Sequence, residues 1–129
     1  MNLRYRCVVL LALASFGCGA DSVAGPSDNV VIEPIEIQSV DVNVGVTRPA
    51  LVTVRVSGTL GSGCDYLHSI EQRREGNGVV IDIKRSRFTD GPCTLILKEF
   101  RQELGLSRGF AAGDYTLRVN GVSRSFSIP

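Results

Sequence analysis

The chain has 129 residues, of which 43% are hydrophobic and 21% are charged. This length allows one domain, and this composition excludes a chain that is disordered throughout. The 14 Lys and Arg residues nearly balance the 13 Asp and Glu residues. No overall field of either sign therefore draws the chain to nucleic acid, and we expect no nucleic-acid partner.

The N-terminus has the composition of a secretory signal. The segment MNLRYR carries two Arg residues, and the uncharged run CVVLLALASF follows it. A helix of about ten residues reaches about 15 Å, half of a hydrocarbon core of about 30 Å, which is too short for a permanent membrane span. We therefore expect residues 1–17 to be an export signal; a buried core helix is the alternative.

The end of this signal, SFGCGA, resembles the lipobox of bacterial lipoproteins. In that motif a small residue precedes a Cys that is lipidated and becomes the mature N-terminus, and Gly17 and Cys18 match it. Ser15 and Phe16 depart from the aliphatic and small residues that the motif has at those places. The resemblance implies that Cys18 is lipidated and that the protein reaches a membrane through this lipid.

Ordinary signal cleavage after Ala20 or Ala24 is the alternative, and it would discard Cys18. Gly19 stands where lipoproteins retained in the inner membrane of enteric bacteria have Asp. The resemblance therefore favours an exported lipoprotein of the outer membrane that faces the periplasm.

A tether and then a domain follow the signal. Residues 18–33 contain Gly, Ser, Pro, Asp and Asn without a clear period, which predicts a flexible tether. From Pro34 onward apolar and polar residues alternate, which is typical of half-buried strands. We predict a folded domain over residues 34–129.

The first strands are predicted from apolar residues at every second position. The first run holds Ile35, Ile37, Val40, Val42, Val44 and Val46, and the second holds Val52, Val54 and Val56. The phase of the first run slips at Gln38–Ser39, which indicates a β-bulge or a bend.

The middle of the chain predicts a hairpin and then another strand. The runs YLHSIEQRRE and VVIDIKRS flank Gly-Asn-Gly at 76–78, and these residue types tolerate the positive φ of a tight turn. In CTLILKEFRQELGL the residues Cys93, Leu95 and Leu97 alternate, which predicts a strand that starts at Cys93. A short helix over 97–104 is the alternative.

The C-terminal segment predicts a second hairpin around Asn120-Gly121. The alternating residues are Tyr115, Leu117 and Val119 before the turn and Val122, Arg124, Phe126 and Ile128 after it. With the earlier runs this gives about seven strands, and we predict an all-β fold, a single antiparallel β-sandwich. The stretch AAGDYTL resembles the tyrosine corner of immunoglobulin and fibronectin type III folds. This resemblance covers residues 34–129 and implies an immunoglobulin-like fold class without an activity.

Two cysteines remain after export, Cys64 and Cys93, whereas Cys7 leaves with the signal. In an oxidising compartment the simplest prediction for such a pair is a disulfide, which would join the middle hairpin to a neighbouring strand. Paired free thiols and a metal site are the alternatives, but a metal site needs more ligands than the nearby His68. We expect neither a metal nor a cofactor.

The stretch GLSRG has the G-x-S-x-G spacing of a nucleophile elbow around Ser107. That motif needs an α/β sheet, with an Asp and then a His after the Ser. Asp114 follows Ser107, but His68 precedes it. We predict no catalytic residues and no enzyme activity; a small hydrolase that uses Ser107 is a competing hypothesis.

Five basic residues flank the middle hairpin: Arg73, Arg74, Lys84, Arg85 and Arg87. If the strands pair, we expect these residues to gather at the end away from the turn, where they would contact an anionic ligand or an acidic partner. The alternative is a solvated face that is neutralised by the interleaved acids Glu71, Glu75 and Asp82.

Three aromatic residues fall in or near predicted loops and form either a contact patch or caps on the core: Tyr66, Phe88 and Phe110. As a whole, the sequence resembles small exported bacterial lipoproteins with one immunoglobulin-like domain. We expect a non-catalytic cell-envelope lipoprotein that acts as a binding or assembly module toward an unknown envelope protein or ligand. The alternative is a periplasmic protease-inhibitor-like or small-ligand-binding module that uses residues 58–70 as a rigid loop.

Overall fold

The computed structural model describes residues 29–129. The predicted signal (1–17), Cys18 and the tether as far as residue 28 lie outside the described residues. Within residues 29–129 the structure has no helix and eight strands: β1 (Val30–Pro34), β2 (Glu36–Val44), β3 (Val52–Leu60), β4 (Asp65–Glu75), β5 (Gly78–Phe88), β6 (Lys98–Gly105), β7 (Gly113–Val119) and β8 (Val122–Ile128). Over the same residues, nothing helical has the length and apolar character to cross a bilayer.

The strands form two sheets, and the predicted all-β sandwich is confirmed. One sheet holds β1, β4, β5, β7 and β8, and the other has the order β2-β3-β6. The pairing is antiparallel except between β5 and β7, which are parallel. This exception arises because the chain crosses to the other sheet and runs back along β6 before it returns as β7.

The first strand corrects the predicted boundary of the tether, because residues 30–33 belong to β1. β1 pairs with β5 from Val30–Phe88 to Pro34–Lys84. β7 occupies the same edge of β5 only as far as Ile81. The rest of that edge is therefore open, and the apolar start of β1 pairs with it. The local composition of residues 18–33 does not indicate this pairing.

Asn120 closes the seam between β1 and β7 on this edge. Its side-chain Oδ1 accepts a hydrogen bond from Ile83 N at 2.9 Å, and its Nδ2 donates to the carbonyl oxygens of Ile35 at 2.6 Å and Ile83 at 3.1 Å. Its φ is 50°, a left-handed conformation that Asn adopts more readily than most residues. The predicted Asn-Gly turn is confirmed, and its first residue also links β5 to Ile35, which lies between β1 and β2.

The core lies between the two sheets and consists of the alternating residues of both. Its fully or almost fully buried members include Val52, Val54, Val56, Ile81, Ile83, Phe110, Leu117 and Val119. The phase slip predicted in β2 is confirmed as an irregularity between Ile37 and Ser39. The predicted alternation ends before Val46, which lies beyond β2 and is 95% exposed.

The strand predicted to start at Cys93 starts only at Lys98, and the alternative helix over 97–104 is wrong. β6 pairs with β3, and the last pair is Leu60–Lys98. β3 ends at Leu60, so residues 93–97 have no strand to continue the ladder. They remain a loop, in which Leu95, Ile96 and Leu97 are exposed.

Candidate functional site

The five predicted basic residues do not gather at one end of the hairpin. In the β4–β5 register, Arg74 faces Val79 and Arg73 faces Val80, next to the turn, whereas Arg87 faces Asp65 at the other end. The seven positions from Val80 to Arg87 correspond to about 23 Å along a strand. The expected single cluster is therefore divided in two, and Lys84 lies between the halves as an exposed residue.

The pair near the turn has local partners. Arg73 forms ion pairs with Glu75, at 3.0 Å, and with Asp82. The guanidinium of Arg74 stacks on the ring of Phe110, 3.8 Å from its centroid, and donates a hydrogen bond to the carbonyl oxygen of Gly109 at 3.3 Å. A role of these two residues in binding an anion stays a prediction.

The other pair forms an ion cluster around the buried Asp65, and the side chains of Arg85 and Arg87 are 17% and 36% exposed. Arg85 and Arg87 continue the phase of the buried Ile81 and Ile83 on β5, so they point into the space between the sheets. Arg85 Nη1 lies 2.8 Å from Asp65 Oδ2, and Arg87 Nε lies 2.7 Å from Asp65 Oδ1. We call Asp65, Arg85 and Arg87 the ion cluster.

Asp65 is fully buried, and its charge is stabilised where it lies. The hydrogen bond from Arg87, with the nearby charge of Arg85, outweighs burial and lowers the pKa of Asp65 to about 2. Ser62 donates a further hydrogen bond at 3.3 Å. A Cβ on Gly61, the residue after β3, would lie 2.6 Å from Arg85 Nη1, so a larger residue there would have to displace the end of the Arg85 side chain.

Sequence reasoning missed Asp65. The sequence does hold a signal for it. On β5 the odd-numbered residues point toward the other sheet, and Arg85 and Arg87 belong to this set, so they require a counter-charge on a neighbouring strand. Arg85 reaches a second acid, Glu33 on β1, at 2.9 Å. The ion cluster thus connects β4, β5 and β1 at one end of the domain.

The outside of the same end is apolar. Leu95, Ile96 and Leu97 are 92%, 66% and 67% exposed, and Tyr66 and Phe88 are about half exposed. The rings of Tyr66 and Phe88 meet edge to face with centroids 6.0 Å apart. We call these five residues the apolar tip.

The predicted disulfide between Cys64 and Cys93 is confirmed, with Cα atoms 5.4 Å apart. Cys64 directly precedes β4, but Cys93 lies in the β5–β6 connection and not on a strand, which corrects the predicted position. Cys93 is five residues beyond Phe88 and two before Leu95, so the bond holds the loop of the apolar tip against the start of β4.

Further contacts hold this loop in place. Gly63 N donates to the carbonyl oxygen of Thr94 at 2.8 Å. At the far end of the loop, Lys98 Nζ donates to the carbonyl oxygen of Gly63 at 3.0 Å and lies 4.6 Å from the centre of the Tyr66 ring. The tip is therefore built on a braced loop.

The three aromatic residues singled out in the sequence divide between the two alternatives. Tyr66 and Phe88 are exposed in the apolar tip, whereas Phe110 is fully buried and caps the core. The ring of Phe110 contacts those of Tyr115 and Phe126, with centroids 5.0 and 5.6 Å away. The Tyr115 hydroxyl donates to the carbonyl oxygen of Ala111 at 2.9 Å, as expected for a tyrosine corner.

Ser107 lies in the exposed β6–β7 connection. Its backbone N donates to Gln72 Oε1 at 3.1 Å, and the two residues line a surface cavity of about 290 Å³ together with Arg73, Arg74, Val79 and Arg108. His68 is on the same strand as Gln72 but four residues earlier, about 13 Å along it. Among the described residues, no group of three or more His, Cys, Asp or Glu side chains is arranged to hold a metal ion.

The stretch 58–70, considered as a rigid inhibitory loop, belongs largely to strands. Residues 58–60 end β3, and residues 65–70 begin β4. Residues 61–64 between them are buried or half-buried. The segment that stands out at this end is therefore the loop of the apolar tip.

Two relatives come from Herpetosiphon aurantiacus. The "Uncharacterized 10.2 kDa protein in HgiCIIM 5'region" is 28% identical to this chain over 92 residues, which are 71% of this chain and 98% of that protein. The "Uncharacterized 10.2 kDa protein in HgiBIM 5'region" is 30% identical over 82 residues, 64% of this chain and 100% of that protein. No solved structure matches the chain.

The model of a protein family, the ORF11 beta-sandwich domain, matches residues 54–128. This segment runs from β3 to the last residue of β8, so it contains the disulfide, the ion cluster and the apolar tip. The match covers more than half of the chain. The chain therefore belongs to the ORF11 beta-sandwich domain family.

Proposed function

We propose that the protein is a non-catalytic lipoprotein of the cell envelope, whose sandwich is a binding or assembly module. The observation that carries this proposal is the apolar tip. Leu95, Ile96 and Leu97 stand in solvent one after another, although apolar side chains in such a run normally join a core. A surface of this kind is typical of a site that another molecule covers.

The bracing of the tip supports binding rather than accidental exposure. The disulfide of Cys93 and the hydrogen bond to Thr94 restrict the loop before any partner arrives, so little conformational entropy is lost on binding. The membrane location rests on the sequence alone, on the signal over residues 1–17 and on the resemblance of Gly17-Cys18 to a lipobox.

The lipid anchor is tested by the mass of the mature N-terminus. We expect a diacylglyceryl group on Cys18, and we expect Cys18→Ser to move the protein from the detergent phase to the aqueous phase. A mature N-terminus at residue 21 or 25 without lipid would contradict this part of the proposal.

The binding role is tested by in-cell photo-crosslinking from two positions that are matched in exposure. A photoreactive residue replaces Leu95 in one variant and Val46 in the other; these side chains are 92% and 95% exposed. We expect reproducible adducts, to protein or to lipid, from position 95 only. Equal labelling from both positions, or none from either, would contradict a binding surface at the tip.

A further inference from the structure

We propose that the apolar tip docks on a lipid bilayer and orients the sandwich on the membrane that holds its anchor. This inference rests on the proposed lipid anchor for its geometry and names the partner of the tip.

The chain enters the domain at the tip. Val30, the first residue of β1, pairs with Phe88 of the tip. Just before it, the carbonyl oxygen of Asn29 accepts a hydrogen bond from Thr89 N at 2.8 Å, and the Asn29 side chain donates to Asp90. Whatever precedes residue 29 is therefore tied to this end of the sandwich.

The span from the anchor to the tip is short. Cys18 lies 11 residues before Asn29 in the sequence. A chain of this length reaches at most about 40 Å. A lipid on Cys18 would hold the tip within this distance of the bilayer, with the opposite end of the domain a further 27 Å or so away along β3.

The side chains at the tip are suited to a bilayer interface. Three aliphatic residues form the projection, and the rings of Tyr66 and Phe88 lie beside it, as aromatic residues do at the level of lipid headgroups. The register of β1 also places Val30 and Ile32 on the outer face with Phe88, and both are exposed.

Charges surround the tip without entering it. Lys98 lies over the ring of Tyr66, and the exposed Lys84 is on the same outer face, where lysines can extend toward phosphates. Two acids each lie two residues from the tip in sequence: Asp90, which accepts a hydrogen bond from Asn29, and Glu99, which pairs with Arg101. Arg85 and Arg87, whose side chains are 17% and 36% exposed, are paired with Asp65 and Glu33.

The absence of Trp from the sequence allows a direct test. Leu95→Trp introduces a single fluorophore at the tip, and Val46→Trp introduces one at the opposite end, beyond the Val44–Val52 pair. The full lipid-modified protein is placed on vesicles of phosphatidylethanolamine and phosphatidylglycerol with or without brominated acyl chains. We expect brominated lipid to remove more than about half of the emission of the Leu95→Trp variant and to leave the Val46→Trp variant unchanged.

A second pair of variants controls for the affinity of Trp itself for membranes. In the Leu95→Trp background, Ile96→Glu places a charge in the tip and is expected to abolish quenching, whereas Val46→Glu is expected to preserve it. Quenching that survives Ile96→Glu would overturn the docking proposal. A blue shift that depends on protein concentration without vesicles would also overturn it, in favour of a second copy of this chain as the occupant.

Failure of the docking and failure of the anchor give different results. If the protein floats with vesicles but the Leu95→Trp variant is not quenched, the anchor stands and the docking is overturned. If Cys18 carries no lipid, the anchor fails, and the same quenching is measured on the unmodified full chain at high vesicle concentration. Quenching there still supports docking by the tip, and its absence overturns the docking as well.

Discussion

The two ends of the sandwich have opposite arrangements of polar and apolar groups. At the end with the β4–β5 turn, the aromatic rings of Phe110, Tyr115 and Phe126 lie inside or at the edge of the core, and the charged Arg74 covers them. At the other end the carboxylate of Asp65 is buried with the partly buried Arg85 and Arg87 around it, and the aliphatic residues of the apolar tip are outside.

The first arrangement is what folding alone favours, and the second is not. The buried carboxylate of Asp65 carries a desolvation cost that its arginine partners have to offset, and three aliphatic side chains in water contribute little to stability. This reversed arrangement is what the binding role proposed for the apolar tip would require. We therefore expect mutations at the aromatic end to lower stability, and mutations at the apolar tip to reduce binding with little effect on stability.

The largest expected effect is at the aromatic end. Phe110 is fully buried, and Phe110→Ala should lower the free energy of unfolding by about 4 kcal/mol through lost contacts and a cavity. Denaturant unfolding measures this loss. The matched control is Phe88→Ala at the tip, where a half-exposed ring should cost about 1 kcal/mol or less; equal losses at both positions would remove the contrast between the ends.

The next largest effect concerns the brace of the tip. The two cysteines are 29 positions apart, and the double variant Cys64→Ser/Cys93→Ser should lose about 3.5 kcal/mol of unfolding free energy because the unfolded chain is no longer cross-linked. Thermal and denaturant melts compare it with the wild type. A loss below about 1 kcal/mol would mean that the bond acts only on the loop.

Asp65→Asn should cost about 3 kcal/mol, because it leaves Arg85 and Arg87 without their buried counter-charge. The pKa of Asp65 is lowered from 3.8 to about 2 in the folded protein. A carboxyl with a lowered folded-state pKa contributes stability that is fully present above its unfolded pKa and is lost as the pH falls. We therefore expect wild-type stability to decline between about pH 4 and pH 2.

The control for this change is Glu33→Gln. Glu33 also pairs with Arg85, but its side chain is 43% exposed, so the substitution should cost less than about 1 kcal/mol. The difference in unfolding free energy between the wild type and Asp65→Asn should shrink as the pH approaches 2. A difference that is constant over this range would show that Asp65 contributes through packing and not through its charge.

The smallest effect is expected from the tip itself. Ile96→Ser removes an exposed aliphatic side chain and should change the unfolding free energy by less than about 0.5 kcal/mol. The measurement is the midpoint of denaturant unfolding. A loss of 2 kcal/mol or more would place Ile96 in the core and contradict the description of the tip.

Much of the fold could be predicted from local patterns. The alternation of Val52, Val54 and Val56 identified β3 and its buried face, and Asn120-Gly121 identified the last hairpin, because both signals act within a few residues. The pair Cys64 and Cys93 was predicted for a similar reason, since two cysteines have one way to pair.

The parts of the fold that local patterns do not predict depend on strands that are distant in sequence. Cys93, Leu95 and Leu97 alternate like a strand, but β3 ends at Leu60 and offers them no ladder. Residues 30–33 look like a tether until β5 supplies an open edge.

The candidate site was the least predictable part. The basic residues were counted as a surface group, although the phase of β5 turns Arg85 and Arg87 inward and leaves Lys84 outside. Asp65 was not identified, because its burial follows from the pairing of β4 with β5 and not from its neighbours in sequence.

The way β1 is attached has a mechanical consequence. Most residues of this strand are exposed, and it pairs with β5 one residue after another from Val30 to Pro34. Because the hydrogen bonds of an antiparallel pair run perpendicular to the strands, a pull from the tip along β1 would load these pairs in shear, so that they resist the force together. At the inner end of the strand Ile35 is buried and held by Asn120, so such a load would pass into β5 and the β7–β8 turn and would not detach β1 alone.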